Sequence, residues 1–148
     1  MKIRLLTKKD IEKARNIVKQ NYGLKDSVSA KKEMQDMFVK GPMRPKYLVA
    51  EDKGLIVGFA GFSQSWIDYS TYHIFWVNVL PQRQRQGIGK NLVGEVIKQI
   101  KKDKKAKLII LMSTSPKYYE KHFKFKGIDS YKGKSHIHYI MSLSLYKK

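Results

Sequence analysis

The sequence contains no cysteine, and this absence removes several kinds of site at once. Disulfide bridges, thiolate metal centres and a cysteine nucleophile are all excluded. Acidic residues are also scarce, since 12 Asp and Glu stand against 31 Lys and Arg, which gives a formal net charge of +19. No apolar run is long enough for a membrane span or for the hydrophobic region of a signal peptide. We therefore expect a cytoplasmic protein with no membrane partner.

Arginine contributes little to this positive charge. The only arginines are Arg4, Arg15, Arg44, Arg83 and Arg85. A cationic surface attracts polyanions such as nucleic acids or a phosphorylated ligand, but bidentate contacts to phosphates and bases favour arginine. The lysines are spread along the whole chain, which favours a solvated surface over a nucleic-acid groove. Both interpretations stay open, and so does a homodimer.

Length and patterning predict one domain over residues 1–148, because 42% of the residues are hydrophobic and no low-complexity linker divides the chain. Thr7 followed by Asp10 predicts a helix cap, and the polar gap 51–54 predicts a hairpin. The predicted order is strand 3–6, helices 8–20 and 29–40, strands 47–50, 55–63 and 71–79, helix 87–102, strand 107–112, helix 116–123, and strands 127–131 and 136–145. Strands 71–79 and 107–112 with the helix between them form a βαβ unit, and the remaining pairs are antiparallel. The fold class is therefore mixed α/β, with a mostly antiparallel central sheet and helices on both faces.

Two glycines mark the start of the helix that follows strand 71–79. Gly87 and Gly89 allow a tight bend and the close approach of an anion to the backbone. The first amides of a helix have no internal partner and lie at the positive end of the helix dipole. The pattern predicts a pyrophosphate site. It is not a dinucleotide fingerprint, because Leu92 replaces the third glycine, and Lys90-Asn91 does not match a nucleotide-triphosphate loop.

The stretch from Gln84 to Gly89 resembles motif A of the GNAT family of N-acetyltransferases, whose signature is Gln/Arg-x-x-Gly-x-Gly/Ala. The preceding Val79-x-Pro81 and the order of elements are similar to the family as well, so the resemblance covers nearly the whole chain. It implies the acyl-CoA N-acyltransferase fold, with acetyl-CoA as co-substrate, no metal, and direct attack by a primary amine. The strand that ends at Val79 would splay from strand 107–112, and acetyl-CoA would lie in the opening. The residues that the resemblance places against acetyl-CoA are Val77, Val79, Gln84, Arg85, Gln86, Gly87, Ile88, Gly89, Lys90, Ser113 and Tyr119, and the side chain of Arg83 is a further candidate for the phosphates.

A second segment, Tyr118-Tyr119-Glu120-Lys121, is similar to the family's other cofactor-binding segment. Tyr119 matches the tyrosine whose hydroxyl faces the CoA sulfur, and a phenol suits protonation of a thiolate. Tyr118 is the competing candidate. The sequence departs from the family at Lys124, where glycine is usual, and at 113–115, where Ser-Thr-Ser stands in place of an expected asparagine.

The attacking amine also needs a base. Some family members have a glutamate in the central strand, and His73 occupies the matching position here. An imidazole is a competent base near neutral pH, and strand alternation predicts that His73 shares a face with Phe75, Val77 and Val79. A structural histidine is the alternative interpretation, with Asp68 and Glu51 as other candidate bases.

Two further groups of residues remain open. His136 and His138 alternate on a late strand, but no third metal ligand follows a supporting pattern. Four aromatic residues, Trp66, Tyr69, Tyr72 and Trp76, belong either to an acceptor pocket or to the core or a dimer interface. The alternative to an enzyme is a basic nucleic-acid-binding or acyl-CoA-binding module on the same fold, and the fold does not identify an acceptor.

Overall fold

A computed structural model describes residues 1–146, which form seven strands and four α-helices. The strands are β1 (Lys2–Leu5), β2 (Lys46–Asp52), β3 (Leu55–Gln64), β4 (Thr71–Val79), β5 (Leu108–Ser113), β6 (Lys126–Lys132) and β7 (Ile137–Ser144). The helices are α1 (Ile11–Tyr22), α2 (Leu24–Gln35), α3 (Ile88–Lys101) and α4 (Pro116–Phe123). Within residues 1–146, no helix is both long and apolar enough to cross a membrane.

All strands join one sheet in the order β1-β2-β3-β4-β5-β7-β6. The pair β4–β5, which α3 connects, is parallel, and the other pairs are antiparallel. One core packs α1 and α2 against the sheet, and a second core packs α3 and α4 against it. The predicted mixed α/β fold with helices on both faces is confirmed, and because β4 and β5 are parallel, their carboxyl ends lie at the same edge of the sheet.

The sequence predicted the start of α1 from Thr7 and Asp10. Both the backbone N–H and the hydroxyl of Thr7 donate to Asp10 Oδ2, at 2.7 and 2.9 Å. Arg4 of β1 adds two hydrogen bonds to the same carboxylate, which is buried. A 3-10 turn over Lys8–Asp10 precedes the helix, so the predicted start at residue 8 is right for the segment but not for its helix type.

The boundary between the first two helices differs from the prediction. Gly23 has φ 98° and separates α1 from α2 without a loop, and α2 begins at Leu24 rather than at residue 29. A single residue in this conformation ends one helix and redirects the chain into the next. Residues 24–28, which the predicted order of elements left unassigned, form the start of α2.

Lys124 provides the reason for a family preference. It is the C-cap of α4 with φ 63°, a left-handed conformation that glycine adopts at little cost. The family's usual glycine therefore meets a backbone requirement, and lysine meets it here with some strain.

Candidate active site

A cleft opens where β4 and β5 part. Residues 71–74 pair in parallel with residues 108–111. Beyond this point β4 continues to Val79 beside β3, while β5 continues to Ser113 beside β7. The separation leaves a cleft of about 830 Å³ lined by both strands, the start of α2, α4 and the β6–β7 hairpin.

A β-bulge in β4 redirects the residues that face this cleft. Between two paired positions β3 advances from Phe59 to Gly61, while β4 covers the longer step between Asn78 and Phe75. Trp76 lies inside the bulge with φ 51°. A bulge leaves one residue outside the ladder and bends the strand.

The bulge contradicts the alternation that the sequence predicted. Phe75 and Trp76 both pack against the core under α1 and α2. Val77 and Val79 pack against the opposite core, under α3. The prediction that His73 shares a face with Val77 and Val79 was wrong, because one extra residue reverses the side-chain alternation of a strand.

The backbone of Val79 points into the opening. The N–H of Leu80 donates to Val57 O at 2.9 Å, which makes these two residues a hydrogen-bonded pair. In an antiparallel ladder such pairs alternate with non-hydrogen-bonded ones, so the neighbouring pair Gly58–Val79 directs its peptide groups outward. The N–H and C=O of Val79 therefore face the side that β5 has left.

Two side-chain amides hold the Val79 carbonyl. Asn21 Nδ2 donates to this oxygen at 2.9 Å and Gln84 Nε2 donates to it at 3.1 Å. Gln84 Nε2 also lies 3.2 Å from Asn21 Oδ1, and Asn21 Nδ2 lies 3.1 Å from Oδ1 of the buried Asn78. The network ties the end of α1 to the end of β4 and to the turn before α3. No signal in the sequence marked Asn21, whose partners are distant along the chain.

The turn before α3 presents free backbone amides. Pro81–Arg83 form a 3-10 turn, and Arg85 and Gly87 then adopt left-handed conformations with φ 63° and 84°. Gly87 is the N-cap of α3, and no side chain within the described residues caps this helix. Its first N–H groups thus lack protein partners and lie at the positive end of the dipole, which is an arrangement that binds anions.

The basic side chains around the turn differ in whether an acidic side chain pairs with them. Arg83 Nη2 pairs with Asp52 Oδ2 at 2.7 Å, and this guanidinium lowers the pKa of Asp52. Arg83 Nε also donates to Gln86 Oε1 at 3.1 Å. Arg83 therefore connects the turn to β2, and its guanidinium is not free for the phosphate contact for which it was a candidate. Arg85 and Lys90 are exposed, and neither forms an ion pair within residues 1–146.

Gly89 provides room where the turn meets the cleft. A Cβ at this position would lie 3.7 Å from Val79 Cγ2 and 4.0 Å from the hydroxyl of Tyr118. The protein itself would tolerate a side chain there, but the side chain would enter the cleft. On the other side of the opening, Ser113 lines the cleft and its Oγ accepts a hydrogen bond from the N–H of Ser115 at 2.9 Å.

Tyr118 and Tyr119 both line the cleft from α4. Tyr119 is buried, and its ring packs against Phe123 and Phe125 at centroid distances of 6.0 and 5.9 Å. Burial, with smaller contributions from neighbouring tyrosines, raises the pKa of Tyr119 to about 12. Burial also raises the pKa of Tyr118. Both phenols therefore hold their protons at neutral pH.

The predicted bases lie outside the cleft lining. His73 pairs with Ile110, in the part of β4 that is still joined to β5. Asp68 lies in the loop before β4, and Glu51 forms an ion pair with Arg4 at 2.9 Å. His73 lies one pair before the point where the strands separate, and none of the three candidates is among the residues that line the cleft.

Other ionisable groups line the cleft, and the sequence did not assign them to it. They are Asp26 at the start of α2 and the two histidines of the β6–β7 hairpin, His136 and His138. The ring of His138 stacks on Tyr131 at 5.0 Å. Within residues 1–146, no group of three or more His, Cys, Asp or Glu is arranged to hold a metal ion. The alternation of the two histidines was visible in the sequence, but their position depends on β7 lying beside β5.

The four aromatic residues that the sequence left open have different surroundings in the structure. Trp76 lines the cleft, and its Nε1 donates to Glu33 Oε2 of α2 at 2.9 Å. Tyr72 packs against the core under α3. Trp66 and Tyr69 are 77% and 60% exposed, so they lie outside the core and outside the cleft lining, and their place in a dimer interface stays a prediction.

The residues predicted to bind the cofactor converge on one region. Those that line the cleft are Val77, Val79, Gln84, Gly89, Ser113 and Tyr119. Those that form the turn and helix start at its edge are Arg85, Gln86, Gly87, Ile88 and Lys90. The side chain of Ile88 is buried in the core, so only its backbone is free to face a ligand.

Comparison with known proteins gives a consistent result. The family described as Acetyltransferase (GNAT) matches residues 11–125. A protein assigned to this family from Desulfovibrio desulfuricans superposes with a TM-score of 0.84 at 18% identity, covering 98% of this chain and 99% of that one. No curated protein sequence matches the chain.

Two similar structures contain the coenzyme. A GNAT-family acetyltransferase from Brucella melitensis in complex with acetyl-CoA has a TM-score of 0.75 at 22% identity, covering 99% of this chain and 88% of that one. An aminoglycoside 6'-N-acetyltransferase complexed with coenzyme A has a TM-score of 0.77 at 15% identity, covering 100% and 99%. At these identities the structural matches establish the shared fold.

Proposed function

Since this chain belongs to the GNAT family of acetyltransferases, we propose that it transfers an acetyl group from acetyl-CoA to a primary amine by direct attack. The observation that supports this most strongly is the continuity of the β4–β5 cleft with the uncapped start of α3. A ligand with a pyrophosphate at one end and a slender arm at the other fits this shape, because the amides bind the anion and the strand edge pairs with the arm.

Backbone groups make most of the contacts that we propose with acetyl-CoA. We place the amides of residues 85–90 against the pyrophosphate, since the N–H of Gln84 donates to Pro81 O at 3.4 Å. The exposed side chains of Arg85 and Lys90 add positive charge beside it. The carbonyl of Val79 already accepts two side-chain amides, so its N–H is the group left for the ligand. We assign this N–H to the thioester carbonyl oxygen, where one such donor contributes ~3 kcal/mol in comparable sites.

The leaving thiolate needs a proton, and Tyr119 supplies it in this scheme. As the amine nitrogen bonds to the carbonyl carbon and the C–S bond breaks, the Tyr119 hydroxyl protonates the sulfur. The raised pKa of about 12 keeps this proton in place until the thiolate forms. Tyr118, whose hydroxyl lies near Gly89 on the turn side, is the competing donor.

The attacking amine must lose a proton first. An ordinary alkyl amine with a pKa of ~10.4 is almost fully protonated at pH 7, which costs ~4.6 kcal/mol. His73 was the sequence candidate for the base, but His138 is the half-buried imidazole that lines the cleft. Asp26 lies there as well, and in a chain with a net charge of +19 it provides a local attraction for an ammonium group.

Release of free thiol from acetyl-CoA with a panel of amines measures the proposed reaction. Tyr119→Phe is expected to lower kcat by about 100-fold while the affinity for acetyl-CoA stays the same, because the ring is kept and only the proton is lost. Tyr118→Phe is the matched control and should change kcat by less than about threefold. A larger loss for Tyr118→Phe would move the acid role to that residue, and thiol release with no amine in the panel would contradict the reaction itself.

The base has a separate kinetic test. His138→Gln should lower kcat/KM by about 100-fold, because a glutamine side chain cannot take up the proton of the attacking amine. His73→Gln should change kcat/KM by less than about threefold, because His73 is not among the residues that line the cleft. The opposite result would restore His73 as the base.

A further inference from the structure

An exposed apolar tip lies at the end of β4 that is distant from the cleft. In the loop between β3 and β4, Trp66, Ile67 and Tyr69 are 77%, 82% and 60% exposed. Exposed large hydrophobic residues that lie together on a surface mark a site of interaction. None of the three lines the cleft.

Hydrogen bonds hold the tip in this outward position. The N–H of Ile67 donates to the Ser65 hydroxyl at 3.0 Å, and the N–H of Ser65 donates to Thr71 O at 2.8 Å. Asp68 accepts hydrogen bonds from the N–H and the hydroxyl of Ser70, so its carboxylate is used within the loop. These hydrogen bonds define the conformation of the loop, and they hold its apolar side chains away from the core.

A cluster of lysines borders the tip. The lysine segment, Lys101–Lys107, contains five exposed lysines and no arginine. Its end is bonded to the loop, because the N–H groups of Lys107 and Leu108 donate to Ser70 O at 2.7 and 3.3 Å. Asp103, the one acid of the segment, accepts from the Tyr72 hydroxyl at 2.7 Å. No lysine of the segment forms an ion pair with another described residue.

More positive charge lies in a groove beside the loop. The groove has a volume of about 440 Å³, and Arg44, Lys46 and Lys102 line it. Gln64, which also lines the groove, donates to Tyr69 O at 3.2 Å and so connects it to the tip. Tip, lysine segment and groove form one surface, which we call the basal surface.

We propose that the basal surface docks on a membrane that contains anionic lipids, with Trp66, Ile67 and Tyr69 in the interface and the lysine segment over the headgroups. Trp and Tyr favour the membrane interface, and lysines near an anionic leaflet add electrostatic attraction. Apolar insertion and a polybasic cluster are the two signals that together give stable peripheral binding. This docking is independent of the proposed acetyl transfer.

Charge and chemistry favour this occupant over two others. A second copy of the chain would bring another net charge of +19 to a cationic surface and be repelled. Nucleic acid is bound mainly through arginine and aromatic stacking, but the most exposed tip residue is the aliphatic Ile67, and the basal surface has Arg44 as its one arginine beside six lysines. The expectation of no membrane partner rested on the lack of a spanning segment, which surface docking does not need.

Docking here leaves the candidate active site accessible. The nine residues of β4 separate the loop from the turn before α3 by about 30 Å. The start of α3, where we place the pyrophosphate, therefore lies well away from the loop that enters the interface, and the co-substrate reaches it from the aqueous side.

Sedimentation of the full chain with vesicles tests the proposal. We expect binding to phosphatidylcholine vesicles containing about 30% phosphatidylserine, weak binding to pure phosphatidylcholine, and release at about 0.5 M salt. The double substitution Trp66→Ser with Ile67→Ser should weaken binding by about tenfold or more. Leu55→Ser is the control for loss of an exposed apolar side chain elsewhere, because Leu55 is 64% exposed at the opposite end of β3.

A second pair of variants separates the lysine segment from net charge alone. Lys104→Gln with Lys105→Gln should weaken vesicle binding by roughly 25-fold, at about fivefold for each lysine near the surface. Lys132→Gln with Lys134→Gln removes the same charge from the β6–β7 hairpin and should change binding by less than about twofold. Equal losses in both variants, or no binding to the anionic vesicles, would overturn the proposal. Tip-dependent binding to RNA that competes with the vesicles would overturn it in favour of a nucleic-acid surface.

Discussion

A single carbonyl oxygen connects three parts of the candidate site. Val79 O accepts hydrogen bonds from Asn21 and Gln84, which join α1 and the turn before α3 to the end of β4. Gln84 belongs to the motif that the sequence revealed, because the motif is local. No local pattern marks Asn21, since its role depends on contacts with distant residues. The sequence therefore predicted the motif that contains Gln84, but not the hydrogen bonds of Asn21 that help to position it.

Replacing this support should weaken cofactor binding. Asn21→Ala removes one of the two donors to Val79 O and leaves the buried Oδ1 of Asn78 without this donor. We expect a loss of about 1–3 kcal/mol in the free energy of unfolding and about tenfold weaker acetyl-CoA binding. Asn16→Ala, on the exposed side of the same helix, is the control and should have little effect on either quantity. Denaturant unfolding and calorimetric titration measure both, and equal behaviour of the two variants would rule out the positioning role.

At the scale of elements, periodic and turn signals predicted most of the fold. The strand 71–79 and the helix 116–123 match the structure residue for residue. The predictions failed where one residue changes the backbone locally. Gly23 joins two helices without a loop, and Trp76 occupies a bulge that reverses the faces of β4. Because the bulge depends on pairing with β3, the pattern of β4 alone did not reveal it, and the prediction for His73 failed with it.

The hydrogen bonds to Asp10, which connect β1 to the start of α1, should make the free energy of unfolding depend on pH in the acidic range. Hydrogen bonds from Arg4, with further ones from Thr7, lower the pKa of Asp10 from 3.8 to about 2. A lowered pKa in the folded state means that the stabilisation is present above about pH 4 and is lost as pH falls toward 2. The loss should be about 2 kcal/mol in the free energy of unfolding. Urea unfolding at pH 6, 4 and 2 measures it.

Asp10→Asn is the comparison for this prediction, because the amide cannot titrate. The variant should be less stable than the natural chain at pH 6, and the difference should shrink toward pH 2. If the difference in the free energy of unfolding between the two proteins stayed constant from pH 6 to pH 2, protonation of Asp10 would not contribute to the loss of stability.

At the scale of the molecule, the two ends of β4 have different surfaces. One end has the cleft and the uncapped start of α3, and the other has the exposed tip and the lysine segment. The net charge of +19 attracts anions to both ends, but only the first end has backbone amides arranged for a pyrophosphate. The sequence could show the excess of lysine but not its distribution between the two ends, since that depends on the order of strands in the sheet.

The central claim is that acetyl-CoA binds in the β4–β5 cleft with its pyrophosphate at the start of α3. Calorimetric titration of acetyl-CoA into the natural chain, Gly89→Glu and Gly94→Glu tests it directly. Gly94 is a control in the same helix, where an added Cβ meets nothing within 4 Å. An acid in the first turn of α3 suits the helix dipole, so Gly89→Glu should fold and yet repel the pyrophosphate.

We expect acetyl-CoA to bind the natural chain and Gly94→Glu with similar affinity, and to bind Gly89→Glu at least about 30-fold more weakly. Equal affinity for all three proteins, or no binding to the natural chain, would contradict the central claim.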